Sequence, residues 1–232
     1  MNWLVFSVVF PQRLVDREAK LLRGKLQNIF RMLQQGFIML PKCYSLGETV
    51  FAESFNRAKI VVEDHFNRYG LAYNSMVSQS VLLESVFVNA LLAWQRVCKD
   101  FVDSSQNGSL HLMVRQSAVK NDVGHWSVVV DTALAGTVGY WLSQQGLFKR
   151  VNMLAEDFTY NTVNTAMLDA AVTLNASMVQ WETVEDERVC DVCESYGSGG
   201  DGHGFYRFGA VDMPTPPPVH PNCRCRFRVF FQ

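Results

Sequence analysis

The sequence predicts a mainly α-helical protein in which a region of long helices, residues 1–146, precedes a small C-terminal α+β module, residues 147–232. Apolar residues recur at three- and four-residue steps over most of the first 178 residues, after which the pattern changes to strand-like alternation. Four of the six cysteines then crowd into the C-terminal segment. Hydrophobic residues make up 48% of the chain and charged residues 19%, so a sizeable core is expected.

Helical periodicity defines the long elements of the first region. The predicted helices cover residues 12–35, 48–69 and 76–102, followed by a polar turn at 103–108, a short helix at 110–120 and a last helical stretch at 148–178. Gly36 and Pro41 are expected to interrupt the chain between the first two helices. The third helix is apolar around much of its circumference, which favours a central position in a bundle or at a subunit interface. Val179, Trp181 and Thr183 alternate with polar residues as in a strand.

The apolar stretch Met1–Phe10 ends at Pro11 and is too short to cross a bilayer. It is interpreted as a buried strand or as a hydrophobic peg that docks on a partner. No other run approaches eighteen apolar residues without charges, so a soluble protein with no membrane association is expected. The net charge of −1 argues against a surface built as a whole to bind nucleic acid, and any DNA contact should be local.

The cysteines fall into two groups. Cys43 and Cys98 stand alone in helical surroundings and are interpreted as buried, unreactive thiols. The other four belong to two distant segments, a Cys-x-x-Cys at Cys190 and Cys193 and a His-Pro-Asn-Cys-Arg-Cys at 220–225, with 26 residues between Cys193 and the histidine. Two chelating pairs of this kind can complete one tetrahedral, thiolate-rich metal site.

Structural zinc is the metal that this pattern favours, and five side chains compete for four positions: Cys190, Cys193, His220, Cys223 and Cys225. Cys223 and Cys225 would face the same side of an extended strand, and His220 forms an acceptable chelate with either. The favoured set is Cys190, Cys193, His220 and Cys225. The glycine- and proline-rich segment between the two halves needs such a cross-link to hold its shape, although a pair of disulfides is the main alternative.

At these residues the sequence resembles the phage head-morphogenesis proteins, the minor head proteins related to the Mu F protein. The resemblance rests on Trp181, Asp186, Cys190, Cys193, Pro217, Pro218, His220, Pro221, Asn222, Cys223, Arg224 and Cys225. The preceding helix, with Thr159, Asn161, Asn164 and Ala166, is similar to the threonine- and asparagine-containing helix of that family, but has Phe158 and Tyr160 where an arginine and a glutamate are usual. The similarity covers about residues 147–228.

The resemblance implies a structural, non-enzymatic minor capsid protein of a tailed bacteriophage. Such a protein is made in the cytoplasm of the infected bacterium and is assembled into the virion in several copies near the portal. Its expected partners are the portal protein, the major capsid protein and packaged DNA. The implied roles are head assembly, DNA packaging and DNA exit.

A zinc-supported DNA-binding protein or nuclease is the alternative function. Arg224, Arg226 and Arg228 would share one face of a strand and could contact phosphates. A nuclease also needs a histidine base and ligands for a second, catalytic metal. The module offers only His203 and His220, and a closed site of four soft ligands leaves no open position for substrate.

Overall fold

The computed structural model describes residues 6–75, 80–119, 126–183, 189–217, 219, 223 and 225–231, with the side chains of 105–145 excepted. Within these ranges it has five helices and four strands. In chain order they are β1 (Phe6–Val8), α1 (Gln12–Gln34), α2 (Leu40–Arg68), α3 (Val81–Val119), α4 (Trp126–Thr173), β2 (Met178–Glu182), α5 (Asp191–Gly197), β3 (Phe205–Arg207) and β4 (Arg226–Phe231). The prediction of a mainly helical protein with a small β-containing module is confirmed.

Helix α1 matches its predicted bounds, whereas α2 begins eight residues earlier than expected, at Leu40. Gly36 adopts a positive φ of 72° just after α1, a conformation that favours glycine. The prediction that Pro41 interrupts the chain was wrong, because it lies in the first turn of α2. A proline at this position costs no backbone hydrogen bond, since the first amides of a helix have no partner within the helix. This earlier start places Cys43 on the helix.

Helices α3 and α4 are much longer than the sequence pattern indicates. The polar turn predicted at 103–108 was wrong, because α3 continues through it to Val119. Helix α4 begins at Trp126 rather than at residue 148 and spans 48 residues, or about 72 Å at the rise of an α-helix. The two helices pack against each other, so tertiary contact can stabilise a stretch whose local propensity is weak. The division proposed at residue 146 lies within α4 and remains a prediction.

The sheet joins distant parts of the chain. Its strand order is β1-β4-β2-β3, and every neighbouring pair is antiparallel. Strand β1 pairs with β4 through Phe6 opposite Phe231 and Val8 opposite Val229. Val8 is fully buried and Phe10 nearly so, whereas Phe6 and Val9 are exposed, so the described part of the apolar stretch contains a strand and is buried on one side only. Residues 1–5 of that stretch lie outside the described residues.

The core has two parts. The sheet core, where α4 and the end of α2 meet the sheet, contains Phe66, Met167, Trp181 and Phe227. The bundle core lies among α1, α2, α3 and α4 and is rich in aromatic side chains: Phe30, Phe51, Trp94, Phe101 and Phe158. Rings meet edge to face in the bundle core, with centroids 5.0 Å apart for Phe51 and Phe158.

Cys43 of α2 and Cys98 of α3 both lie in the bundle core and are buried, as expected. They do not stand alone, however, because their Sγ atoms are 3.1 Å apart. Fifty-five positions separate them in the sequence, and no local pattern indicates that α2 and α3 would cross at these two residues.

One segment of α3, Val81–Ser104, is long and apolar enough to cross a membrane by length and composition, with a mean hydropathy of 1.3. Trp94, Val97 and Cys98 of this segment are buried in the bundle core. A core helix passes the same test of length and composition, so this single segment carries little weight. The absence of membrane association therefore remains a prediction.

Candidate metal centre

Three cysteine side chains form a compact cluster. The Sγ atoms of Cys193, Cys223 and Cys225 all lie within 4.8 Å of one another, and those of Cys193 and Cys223 are 3.7 Å apart. Tetrahedral zinc with Zn–S bonds of about 2.3 Å places its sulfur ligands about 3.8 Å apart. The spacing therefore suits a metal ion bound between the three sulfurs, and all three residues are buried.

Cys193 is positioned by the short helix α5. Cys190 is the N-cap of this helix, with extended backbone angles (φ −87°, ψ 160°), and its Sγ accepts a hydrogen bond from the Cys193 amide at 3.5 Å. A sulfur therefore takes the capping role that an oxygen of Ser or Asp usually has. The Cys-x-x-Cys spacing predicts a knuckle of this kind, in which a backbone amide faces the first sulfur.

The other two cysteines immediately precede β4. The alternation expected there is confirmed, since Cys223 and Cys225 are buried together with Phe227, Val229 and Phe231. Because side chains two residues apart in an extended chain share a face, both sulfurs point toward Cys193. The apolar face of β4 thus continues directly into the thiol cluster.

A buried asparagine fixes the first part of β4. Asn164 of α4 is fully buried; its Oδ1 accepts a hydrogen bond from the Phe227 amide at 3.2 Å, and its Nδ2 donates to the Tyr160 carbonyl at 3.1 Å. It therefore connects α4 to the strand two residues after Cys225. The sequence singled out Asn164 only through the family resemblance. No local signal distinguishes it, because its neighbours Asn161, Thr162 and Thr165 are polar as well.

Aromatic packing holds α5 against the sheet. The ring of Trp181 on β2 lies 4.9 Å from that of Tyr196 on α5 and 5.6 Å from that of Phe227 on β4. Tyr206 of β3 donates its hydroxyl to the Tyr196 carbonyl at 2.8 Å. The glycine-rich segment thus contributes the buried side chain of Tyr206, and the backbone of this segment passes close to Trp181. A Cβ at Gly204, whose φ is +74°, would lie 2.8 Å from the carbonyl oxygen of Trp181.

The three thiols differ in pKa. Hydrogen bonds from the Cys225 side chain, and from backbone groups at Val219 and Cys225, lower the pKa of Cys223 to about 5 despite its burial. Burial raises the pKa of Cys193 to about 12, and the hydrogen bond to Cys223 together with burial raises the pKa of Cys225. A bound cation would displace the protons that the raised pKa values favour on Cys193 and Cys225.

Of the five predicted ligands, the structure brings three together in one group. Cys190 lies at the edge of the cluster, where its side chain hydrogen-bonds with that of Cys193. His220 lies outside the described residues, as do Asp186, Pro218 and Arg224. The favoured set of four omitted Cys223, whereas the structure places this sulfur within the cluster. Spacing alone did not distinguish Cys223 from Cys225, because either completes a chelate. All six cysteines are free of disulfide bonds.

The arginines predicted to contact nucleic acid are engaged within the chain where they are described. Arg226 Nε lies 2.9 Å from Glu182 Oε2, and Arg228 Nη2 lies 2.6 Å from Glu182 Oε1. Arg226 also donates to Gln12 Oε1 at 3.2 Å. Both arginines are on one face of β4, as expected, and the Glu182 carboxylate on β2 pairs with both, although Arg228 Nε is buried without a hydrogen-bond partner among the described residues. Their position is thus explained by strand pairing without an external ligand.

No family model, curated protein or solved structure matches this chain.

Proposed function

We propose that this chain is a structural minor capsid protein of the head-morphogenesis type, in which a zinc ion bound by the C-terminal cysteines fixes the module that joins the chain to its partners. The observation that carries the proposal is the cluster of Cys193, Cys223 and Cys225, formed by the same sequence motifs that resemble the phage family. Cys190 or His220 supplies the fourth ligand.

The chemistry of the cluster supports zinc. Buried thiolates are soft ligands, and a site made of them is typical of structural zinc rather than of magnesium or calcium, which prefer oxygen ligands. The surroundings of the three sulfurs are apolar, including Trp181 and Phe227. With Cys190 or His220 as the fourth ligand the site would be closed, with no open coordination position of the kind that a catalytic metal needs, which favours a structural role.

The position of the cluster supports a role in holding the module together. Cys193 belongs to α5, whereas Cys223 and Cys225 precede β4, the strand that pairs with both β1 and β2. A metal at this point would cross-link α5 to the central part of the sheet. The long helices α3 and α4 would then extend from a rigid base, an arrangement suited to docking between subunits of an assembly.

The metal part of the proposal is tested by elemental analysis of the full chain purified without chelators. We expect one zinc per chain, released only by strong chelators and with loss of tertiary structure measured by near-UV circular dichroism. Cys225→Ser should remove the zinc, whereas Cys43→Ala, which changes a buried cysteine outside the cluster, should retain it. A fully folded wild-type protein without metal would contradict a structural zinc site.

The assembly part is tested separately, by co-expressing the chain with the portal and major capsid proteins proposed as its partners. Wild-type protein should co-purify with procapsids in several copies per particle, and Cys225→Ser should be depleted from them. If zinc is bound but the protein never enters particles, the zinc site stands and the capsid role is wrong.

The DNA-binding alternative has less support, because Glu182 already pairs with Arg226 and Arg228. Retention on DNA columns over a range of salt distinguishes it. A steep salt dependence that Arg228→Ala reduces would favour a phosphate contact. Cleavage of DNA that requires a divalent metal would favour a nuclease.

A further inference from the structure

The second group of cysteines forms a pair that the metal site does not use. Cys43 in the first turn of α2 and Cys98 of α3 have their sulfur atoms 3.1 Å apart, and both side chains are completely buried. A disulfide bond is about 2 Å long, so a movement of about 1 Å would bring the sulfurs to bonding distance. Two sulfurs cannot by themselves satisfy a tetrahedral metal.

The helices around this pair are held close together. Gly47, one turn beyond Cys43, faces the indole of Trp94, and a Cβ at Gly47 would collide with that ring. Trp94 also donates its indole N–H to the Cys43 carbonyl at 3.2 Å. Because Trp94 lies one turn before Cys98 on α3, the same contact fixes both backbone segments. The sulfurs therefore face each other as a consequence of tight helix packing.

We propose that Cys43 and Cys98 form a disulfide bond that locks α2 to α3 when the protein meets an oxidising medium. With a low-molecular-weight disulfide as oxidant, one cysteine thiolate attacks it, forming a mixed disulfide and releasing one small thiol. The second cysteine then attacks the protein sulfur of that mixed disulfide and releases the other small thiol. The two cysteines lose two electrons and two protons in total, and the oxidant becomes two thiols.

Burial makes this reaction slow. The hydrogen bond with Cys43, followed by burial, raises the pKa of Cys98, so little thiolate is present near neutral pH. The oxidant also has to reach sulfurs that have no exposed surface. The bond is therefore expected to form over long times or during transient opening of the bundle, and to resist reduction once formed. It does not depend on the proposed zinc site or on the capsid role.

Peptide mapping of the full wild-type chain tests the proposal. The protein is equilibrated in glutathione buffers with increasing fractions of the oxidised form, alkylated while denatured and digested with trypsin without reductant. Cleavage after Lys42, Arg57, Arg96 and Lys99 gives the peptides 43–57 and 97–99, each with a single cysteine. We expect these two peptides to be recovered as one disulfide-linked species that reductant separates.

Thermal unfolding supplies the second measurement. A cross-link closing a loop between positions 55 apart should raise the melting temperature of the oxidised protein by roughly 5–10 °C. Dithiothreitol should reverse this shift, and Cys98→Ala should not show it. Recovery of both peptides separately alkylated, or each bound to glutathione, under conditions that oxidise the same cysteines in the unfolded chain would overturn the proposal. A linked pair without any thermal shift would overturn the locking role.

Discussion

The two groups of cysteines differ in what surrounds them. Cys193, Cys223 and Cys225 come from a seven-residue helix and from the segment just before a strand, separated by a stretch rich in glycine and proline. Cys43 and Cys98 come from two long helices whose aromatic side chains already form a core. In the C-terminal module, on the proposed zinc site, the sulfurs hold the chain in place. In the helical bundle the packed chain holds the sulfurs in place.

The difference in surroundings predicts a difference in how much a cross-link contributes to stability. Short elements separated by a glycine- and proline-rich loop bury little apolar surface of their own, so a cross-link is expected to contribute strongly to their order. Long packed helices bury enough surface by themselves, so a cross-link adds stability to a structure that exists without it. Loss of the thiols should therefore lower stability strongly in the C-terminal module and only slightly in the helical bundle.

The largest effect is expected from Cys193→Ser. This change removes the buried ligand that the Cys-x-x-Cys half contributes to the cluster. We expect complete loss of zinc with a loss of about 5 kcal/mol in the free energy of unfolding, since structural zinc binds with about 10–16 kcal/mol. Elemental analysis and urea unfolding measure the two quantities. Cys43→Ala is the matched control and should keep the zinc. Equal effects of the two variants would remove the distinction between the regions.

Trp94→Ala tests whether damage to the helical bundle leaves the metal centre intact. Trp94 is fully buried beside Phe30 and Phe51, with ring centroids 6.4 Å away in each case. Its removal should cost about 3–5 kcal/mol in unfolding free energy because it leaves a cavity, while the folded protein should retain its full zinc content. Leu92→Ala, on an exposed position of the same helix, should change stability by less than about 0.5 kcal/mol. Loss of zinc from folded Trp94→Ala would show that the two regions are not independent.

Asn164→Leu tests whether the hydrogen bond between α4 and β4 supports the metal centre. The change leaves the Phe227 amide without its side-chain acceptor, which should cost about 1–3 kcal/mol. Because that amide lies two residues after Cys225, zinc should also bind more weakly in a competition assay with a chromogenic chelator. Thr173→Ala removes an exposed hydroxyl bonded within α4 and should alter neither property. Unchanged zinc affinity in Asn164→Leu would limit its role to stability.

The smallest effect concerns the pH dependence of the contact between β1 and α2. Burial lowers the pKa of His65, whose Nε2 contacts the Val9 carbonyl, below the ordinary value of 6.5. The unfolded state therefore binds a proton more readily, and stability should fall as the pH drops through 6.5 toward the lower folded pKa. The urea midpoint measured at about pH 7.5 and about pH 5.5 checks this. His65→Gln should reduce the difference between the two urea midpoints. An unchanged difference would show that other titratable groups cause it.

Local patterns predicted a substantial part of this structure. Periodicity located α1 nearly to the residue and gave the type, though not the limits, of the longer helices. Alternation located β2 and placed the buried face of β4 correctly. The Cys-x-x-Cys spacing predicted a tight metal-binding knuckle, and the structure places Cys190 as the sulfur N-cap of α5. Each of these features depends on residues within a few positions of one another, so the sequence pattern contains its cause.

Other features were missed because competing local signals favoured different structures. Pro41 is typical of an interruption but equally suits the first turn of a helix, and only packing of α2 against α1 and α3 decides between them. The polar residues at 103–108 indicate a turn, yet α3 remains helical there. At Pro41, tertiary contact outweighs a weak local preference.

The sequence by itself determined where helices and strands are favoured and which cysteines can chelate a metal, because periodicity and chelate spacing are short-range properties. Tertiary structure decided that β1 pairs with β4, that Cys223 joins Cys193, and that Cys43 meets Cys98. These pairings unite residues 30 or more positions apart. They depend on how whole helices and strands pack, since the free energy of burying shared apolar faces, rather than any local motif, sets which distant residues come into contact.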